Sequence, residues 1–333
     1  MGWKGTVRSL QAAARAADRE ARRRQRELER QAKAQEKMEA LEQAAYEVKV
    51  YENRIELLLS VHKQKGSWID WRALASTPQP SKPEPSYDRQ CAARAAESLY
   101  SPGFFHRVFK LEQKKRAELA SAVEQAIRAD AEDHKAALDL WRAQHADWQE
   151  RTALARKILS GDAEARLGVI AAIDPFCDIA ELGSHISFAA RRDGSIEATL
   201  HTHGTDVIPS ETKSLLSSGR LSVKKMPKGR FNELYQDYVC SCVLRVANEL
   251  FSILPDELVF VTAQDDLLNT ATGHLEEVPI LSVAVSRATL GGLNLDAIDP
   301  SDSMSNFVHR MAFKKTSGFS AVQKVELAEL ASA

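Results

Sequence analysis

The sequence of 333 residues lacks the features by which membrane-spanning, secreted and nucleotide-hydrolysing proteins are most readily recognised. It contains no run of about 18 apolar residues, so no transmembrane helix is expected. Its first residues have no apolar core of the kind found in secretory signals. The Gly-x-x-x-x-Gly-Lys-Ser/Thr pattern of a phosphate-binding loop is absent, which excludes ATP hydrolysis by that route.

Cysteine is scarce and unevenly spaced, at Cys91, Cys177, Cys240 and Cys242. This usage is typical of a reducing compartment rather than of a disulfide framework, so a cytoplasmic location is expected. The segment around Cys240 and Cys242 has helical periodicity, and residues two apart on a helix diverge by about 200°. We therefore expect buried structural cysteines rather than metal ligands, and no cofactor.

Glycine is rare in the first half of the chain, with four residues before position 161 and eleven after it. Glycine disfavours helix interiors by about 1 kcal/mol relative to alanine, so the first half is expected to form long helices. The overall prediction is an α+β protein in three parts. These are a basic helical extension (residues 1–37), a coiled-coil hairpin (38–160) and a compact α+β domain (161–333).

The hairpin is predicted to be antiparallel and to consist of two long helices, from about residue 6 to 65 and from about residue 103 to 159. The first carries a heptad series of mostly apolar residues, at Ala34, Met38, Leu41, Ala45, Val48, Ile55, Leu59 and His62. The second carries Leu119, Val123, Ile127, Leu138, Trp141, His145, Trp148, Ala155 and Leu159. A proline-rich connector at 67–87 joins them. A parallel homodimeric coil through the first helix is the competing arrangement.

The C-terminal domain is predicted to contain a mixed or antiparallel sheet. Strands are expected at 186–190 and 196–200, around an Asp193-Gly194 turn, and as buried runs at 258–262 and 280–285. Residues 221–223 suggest a short further strand. Helices are expected at 235–254, where the apolar periodicity is strong, and at 300–311.

A stripe of basic residues is the most specific functional feature. It consists of Arg15, Arg19, Arg22, Arg26, Arg30, Lys33 and Lys37. The mean spacing is about 3.7 residues, close to one helical turn, so the seven charges share one face roughly 30 Å long. Residues 1–37 carry a net charge of +6, which leaves −7 on the remainder of a chain whose total is −1.

The stripe has two interpretations. The first is a solvated helix face with intrahelical ion pairs such as Glu29 with Lys33, each worth about 0.2–0.5 kcal/mol. The second is contact with a nucleic acid backbone, which is independent of sequence and sensitive to salt, or with an acidic protein surface or anionic lipid. Trp3 is the only aromatic residue near the stripe, so stacking on bases is not supported.

His201-Thr202-His203 is the best candidate for metal ligands, because a separation of two residues at a strand end places both imidazoles on one side, and zinc would need a third ligand. The match to the JAMM metalloprotease pattern fails, since Gly204 replaces its proline and Lys213 stands where a carboxylate ligand is needed. A surface strand end is therefore the favoured interpretation.

Two groups of acids suggest a nuclease. Glu211-Thr212-Lys213 has the Glu-x-Lys core of restriction-type nucleases, with Asp193 or Asp206 as upstream acids, although Ser210 reads as the N-cap of a helix. Asp265-Asp266 and Glu276-Glu277 are expected to face each other and to offer oxygen ligands to Mg²⁺. Arg245 and Glu249, four apart on an apolar helix, are interpreted as a partly buried structural pair, with a functional site as the alternative.

The sequence thus favours a non-catalytic cytoplasmic protein. Its coiled coil is expected to drive self-association or to bind a protein partner, and its basic face to bind nucleic acid or an acidic partner. The alternative is a metal-dependent nuclease or phosphoesterase in the α+β domain, with the coiled coil as a targeting arm.

Overall fold

The computed structural model describes residues 40–64, 66–101, 112–176, 185–202 and 207–330. Within these ranges the chain forms two compact units, one of residues 73–153 and one of residues 40–72 together with 154–330. The whole basic stripe lies outside the described residues, as do Cys177, His203, Gly204 and Asp206.

The elements follow the predicted alternation of long helices and later strands. The helices are α1 (Ala40–Leu59), α2 (Trp71–Ala75), α3 (Asp88–Leu99), α4 (Glu112–Leu159), α5 (Ala163–Ile173), α6 (Lys228–Ile253), α7 (Arg287–Gly292), α8 (Pro300–Ser303) and α9 (Leu327–Leu330). The strands are β1 (His185–Ala190), β2 (Ile196–His201), β3 (Glu211–Leu215), β4 (Leu221–Lys225), β5 (Leu258–Leu268), β6 (Leu275–Ser286), β7 (Val308–Lys314) and β8 (Gly318–Ser320). No described helix combines the length and apolar character required to cross a membrane.

In the first unit, the proline-rich connector runs along α4. Trp148 donates its indole N–H to the carbonyl of Thr77 at 2.7 Å, and Trp141 donates to the carbonyl of Pro80 at 3.0 Å. His145 lies between the two indoles, with ring centroids 5.1 Å and 5.5 Å away. These aromatic residues, predicted to belong to a coiled-coil seam, therefore bind the connector.

The predicted coiled-coil hairpin is not confirmed. The described part of the first helix, α1, packs against α6 and the β3–β4 hairpin, all in the second unit. From Glu42 onward, where burial along α1 is described, the buried apolar residues are Ala44, Val48 and Leu58. The buried face therefore includes Val48 of the predicted series, whereas Ala45 is exposed. Along this face α1 contacts α6 and the β3–β4 hairpin rather than the predicted partner helix.

The second unit is an α+β structure with a mixed sheet, as predicted. Six strands are ordered β1-β2-β5-β6-β7-β8, and β3 and β4 form a separate pair. The β2–β5 pairing is parallel and the others are antiparallel. Helix α6 follows β2 and precedes β5, as the return between parallel strands requires.

Helix α6 forms the centre of the core and covers one face of the sheet. Tyr238, Val246 and Leu250 on this helix are completely buried, as are inward residues of the central strands such as Val261 and Val283. The predicted helix at 235–254 is confirmed, and it begins earlier, after Pro227.

The opposite face of the sheet is covered by residues 321–330. Val325 packs with Phe260 and Ala284, and its backbone N–H donates to Ser282 Oγ at 3.0 Å. Lys324 binds the carboxylate of Glu197 at 2.7 Å. Both sheet faces are therefore covered, which accounts for the nearly continuous apolar runs of β5 and β6.

The segment between α1 and α2 is anchored on α6. The Ile69 N–H donates to the Ser252 carbonyl at 2.9 Å, and Trp71 donates its indole N–H to the Ile253 carbonyl at 2.7 Å. Trp71 is buried, whereas Trp68 is 65% exposed. Two neighbouring tryptophans thus have opposite environments.

Two predicted helices are wrong. Residues 300–311 contain the four-residue α8 and one 3₁₀ turn (Met304–Asn306), and then the chain turns into β7, where Met311 pairs with Leu281. Cross-strand pairing with β6 prevails there over helical periodicity. Residues after Ser210 form β3 rather than a helix, because Gly219, at φ +76°, closes a hairpin with β4.

Candidate functional sites

An open apolar groove runs along α1 in the second unit. Its floor is formed by Tyr51, Ile55 and Leu59, and it encloses about 370 Å³. Ile55 and Leu59 belong to the predicted heptad series and are only half-buried. The groove is therefore the part of that series that the domain leaves uncovered.

The rim of the groove is charged in two zones. Glu52 and Glu56 form an acidic zone near the N-terminal end of the groove. Lys63, near its C-terminal end, and Arg230 of α6 supply the positive charges. All four residues are exposed. Burial raises the pKa of Tyr51, and the nearby Arg230 partly offsets that rise. The groove can thus bind an apolar surface that carries charges of both signs.

A histidine–serine pair lies buried between the α1–α2 segment and α6. His62 Nδ1 is 2.8 Å from Ser241 Oγ, and its Nε2 is 3.0 Å from the Leu295 carbonyl oxygen. The His62 backbone N–H also donates to Ser241 Oγ, at 3.0 Å. Both side chains are almost completely buried, and both ring nitrogens are occupied. This pair holds the segment on the helix and is inaccessible to a substrate.

Acidification is expected to destabilise the protein through His62. Burial lowers the pKa of His62 below its ordinary value, so the folded state keeps a neutral ring where the unfolded chain binds a proton. The stability that the neutral ring contributes is therefore present above about pH 6.5 and is lost progressively as the pH falls below that value. Urea unfolding at several pH values measures this loss. This loss of stability should disappear in His62→Gln. It should persist in the control His274→Gln, which replaces an exposed ring. If the free energy of unfolding depends on pH equally in both variants, the assignment to His62 is wrong.

A second histidine cluster lies at the exposed end of β2. His201 Nδ1 makes a short hydrogen bond to Glu277 Oε1, and its Nε2 is 3.5 Å from Ser187 Oγ. The ring of His185 lies beside that of His201, with centroids 5.7 Å apart. Side chains from β1, β2 and β6 meet here, and the cluster is open to solvent.

Asp265 belongs to a more buried network behind this cluster. The Tyr235 hydroxyl donates to Asp265 Oδ2 at 2.7 Å and also lies 2.7 Å from the Thr202 hydroxyl. Thr202 in turn donates to the Gln264 carbonyl at 2.9 Å. Burial, with the Asp265 carboxylate beside it, raises the pKa of Tyr235 far above its ordinary value. The network ties α6 to the sheet.

The acids proposed for a nuclease do not form a metal site among the described residues. Asp266 pairs directly with Glu277 across β5 and β6, as the facing arrangement predicted. Glu211 lies in the separate β3–β4 pair, and Asp193 caps its own turn through Ser195. Over the ranges that the structure describes, no three His, Cys, Asp or Glu side chains are arranged to hold a metal ion.

The remaining sequence candidates are structural. Cys240 and Cys242 are completely buried, and burial raises the pKa of the Cys242 thiol to about 12, so it stays protonated. Arg245 and Glu249 form an ion pair at 2.7 Å with both side chains 4% exposed. The predicted pair is thus confirmed and more deeply buried than expected.

No protein-family model, curated protein or solved structure matches the chain. Two features of the described residues bear on function: the groove along α1 and the cluster around His201. The heptad spacing of Ile55 and Leu59 predicted contact with a partner helix, and the structure shows these two residues lining the groove. Ser187 carried no sequence signal, and Glu277 was expected only as an oxygen ligand for Mg²⁺, because only the pairing of distant strands brings the two residues to His201.

Proposed function

We propose that this is a cytoplasmic interaction protein that self-associates through the groove along α1. The observation that carries the proposal is the groove itself, where half-buried heptad residues are flanked by separate acidic and basic zones. An apolar face at heptad spacing is typical of a helix that binds another helix. The occupant of the groove is α1 of a second copy of this chain.

Charge complementarity selects the orientation of the two copies. If two α1 helices pack antiparallel about a twofold axis between Leu57 and Leu58, Glu52 faces the 3₁₀ turn that follows α1 in the second copy, which carries Lys63. In the same register Glu56 faces Leu59 of the second copy. A parallel arrangement instead brings Glu52 and Glu56 close to their own equivalents, where like charges repel. The closed antiparallel arrangement is self-complementary, as a twofold interface requires.

Self-association also gives the basic stripe a role. The stripe immediately precedes α1 in the sequence, so each copy in a dimer contributes one set of seven basic residues, Arg15 through Lys37. Two linked basic segments bind a polyanion more tightly than one, because the second contact is made at high effective concentration. We also propose that this stripe binds a nucleic acid backbone or an acidic partner. The coiled-coil pairing predicted for residues 38–160 remains part of the proposal as well.

A charge-swap series tests the interface. Glu52→Lys and Lys63→Glu each place like charges at two symmetric positions, and each is expected to weaken the dimer about tenfold or more. The double variant Glu52→Lys/Lys63→Glu restores opposite charges and should dimerise like the original chain. Mixing the two single variants should yield a heterodimer. Light scattering and sedimentation as a function of concentration measure these outcomes.

Glu42→Lys is the matched control, because Glu42 is exposed on the same helix but lies outside the groove. Its dimerisation should be unchanged. A chain that is monomeric at every concentration, or single variants that dimerise as strongly as the original, would rule out this interface. Failure of the double variant to recover would rule out the antiparallel register.

A further inference from the structure

Three polar side chains at the open end of the sheet form a hydrogen-bonded series. Glu277 binds His201 Nδ1, and His201 Nε2 faces Ser187 Oγ at 3.5 Å. An ionised carboxylate can only accept a hydrogen bond, so the proton of the neutral ring resides on Nδ1. Nε2 then presents its lone pair to the serine hydroxyl. This is the tautomer that a general base needs.

The strand register explains why these residues meet. In the antiparallel β1–β2 pair, His185 lies opposite His201 and Ser187 lies opposite Thr199. Because side chains alternate between faces, all four are on the same face of the sheet. Glu277 comes from β6, two strands away, in the part of that strand that extends beyond β2. The series therefore depends on three strands rather than on a local motif.

We infer that Ser187, His201 and Glu277 form a nucleophile, base and orienting acid for the hydrolysis of accessible carboxylic esters. The roles match those of serine hydrolases, which are recognised by geometry rather than by sequence position. Apo structures commonly show a longer distance between nucleophile and base than the reacting complex. This activity goes beyond the proposed self-association and does not depend on it.

The reaction has two steps. Ser187 Oγ attacks the ester carbonyl carbon while its proton passes to His201 Nε2, and the leaving alcohol takes that proton as its bond to the carbonyl carbon breaks. A water molecule then attacks the acyl-serine, gives its proton to Nε2 and releases the carboxylic acid, after which Nε2 returns the proton to Ser187. One ester and one water give one acid and one alcohol, with no change of oxidation state.

His185 completes the arrangement. Its ring is the nearest described imidazole to His201, on the same strand and face as Ser187. A neutral imidazole N–H can polarise a carbonyl oxygen, so His185 is positioned to act on an ester bound at Ser187. Ser187 and His185 are both exposed. Their exposure suits the hydrolysis of accessible esters with small or loosely held acyl groups.

Active-site labelling tests the inference on the full chain. A fluorophosphonate probe should modify Ser187, as mapped by peptide mass spectrometry, and p-nitrophenyl acetate should give a burst of p-nitrophenol. Ser187→Ala should abolish both signals. Glu277→Gln should lower kcat at least tenfold while the thermal unfolding midpoint stays close to that of the original chain, and it should alter the pH profile of kcat.

Two control variants separate this site from background reactivity. Ser214→Ala removes an exposed strand serine, and His274→Ala removes an exposed turn histidine; neither should change the rate or the labelling. Labelling elsewhere, or the same rate in Ser187→Ala as in the original chain, would overturn the assignment. So would a Glu277→Gln variant with an unchanged pH profile and unchanged kcat.

Discussion

Replacement of Glu249 by alanine is expected to destabilise the second unit by about 3–5 kcal/mol, and replacement of Arg245 by alanine by a similar amount. The two groups form an ion pair at 2.7 Å with side chains only 4% exposed. Removal of Glu249 leaves Arg245 as a buried charge without this counterion, and removal of Arg245 takes from Glu249 the cation that it pairs with at 2.7 Å. The cost of removing the remaining charge from water is then no longer offset by its partner. The loss in free energy of unfolding therefore greatly exceeds the loss on breaking a surface ion pair.

The surroundings of this pair make relaxation difficult. A Cβ at Gly66 would overlap the Glu249 carboxylate, so the backbone of the α1–α2 segment lies directly against the pair. Gly66→Ala is therefore a second way to disturb it without changing a charge. Both charges can instead be replaced together, as in Arg245→Met/Glu249→Leu, which should cost much less than either single substitution because no charge is left unpaired.

Urea unfolding followed by circular dichroism measures these differences. The comparison with a surface pair uses Arg142→Ala, which breaks an exposed ion pair with Asp139 and should cost less than about 1 kcal/mol. If Glu249→Ala costs as little as Arg142→Ala, the pair is not a buried charge pair in solution. If the double replacement costs more than either single one, the argument from desolvation is wrong.

Trp71→Ala is expected to cost about 3–5 kcal/mol, the range for loss of a large aromatic side chain from a core. Trp71 is 4% exposed and anchors the end of α6 through its bond to the Ile253 carbonyl. The substitution therefore removes buried apolar surface and one hydrogen bond at the same time. Trp71→Phe should retain part of the packing and lose the bond, giving an intermediate cost.

Trp68→Ala is the control for this prediction, because Trp68 is 65% exposed and three positions away. Its effect on the free energy of unfolding should stay within about 0.5 kcal/mol. The midpoint of urea unfolding distinguishes the two variants. Equal effects of Trp68→Ala and Trp71→Ala would mean that the α1–α2 segment is not anchored on α6 as the structure shows.

The sequence predicted the elements whose signals are local. The helix from Tyr235 onward has an apolar face repeating every three or four residues, and the hairpin around Gly194 has a turn between two alternating runs. Both are present. The apolar spacing of residues 307–311 fits the period of a helix as well as that of a strand, which is why the prediction of a helix is wrong there. Only pairing with β6 selects the strand. No local signal carries that information.

The candidate sites likewise divide into one that follows from local spacing and one that depends on contacts between distant strands. Arg245 and Glu249 were found because a spacing of four places both side chains on one helix face. Ser187 and Glu277 are 90 positions apart, and their approach to His201 follows from the order of the sheet strands. A sequence carries residue types and the periodicity of its apolar residues, but it does not carry the order of the strands in the sheet. The expectation of a non-catalytic protein rested on that missing information and is now open to the labelling experiment.

The anchoring of residues 61–71 on α6 means that the second unit is discontinuous in the chain. Its two parts are separated by residues 73–153, so their association closes a long loop at an entropic cost that grows with the logarithm of its length. A fragment cut at residue 160, where glycine content changes, would keep the sheet but lose His62, Ile69 and Trp71. The surface of α6 that these residues cover would then face water, and Ser241 would lose its hydrogen-bonded partner.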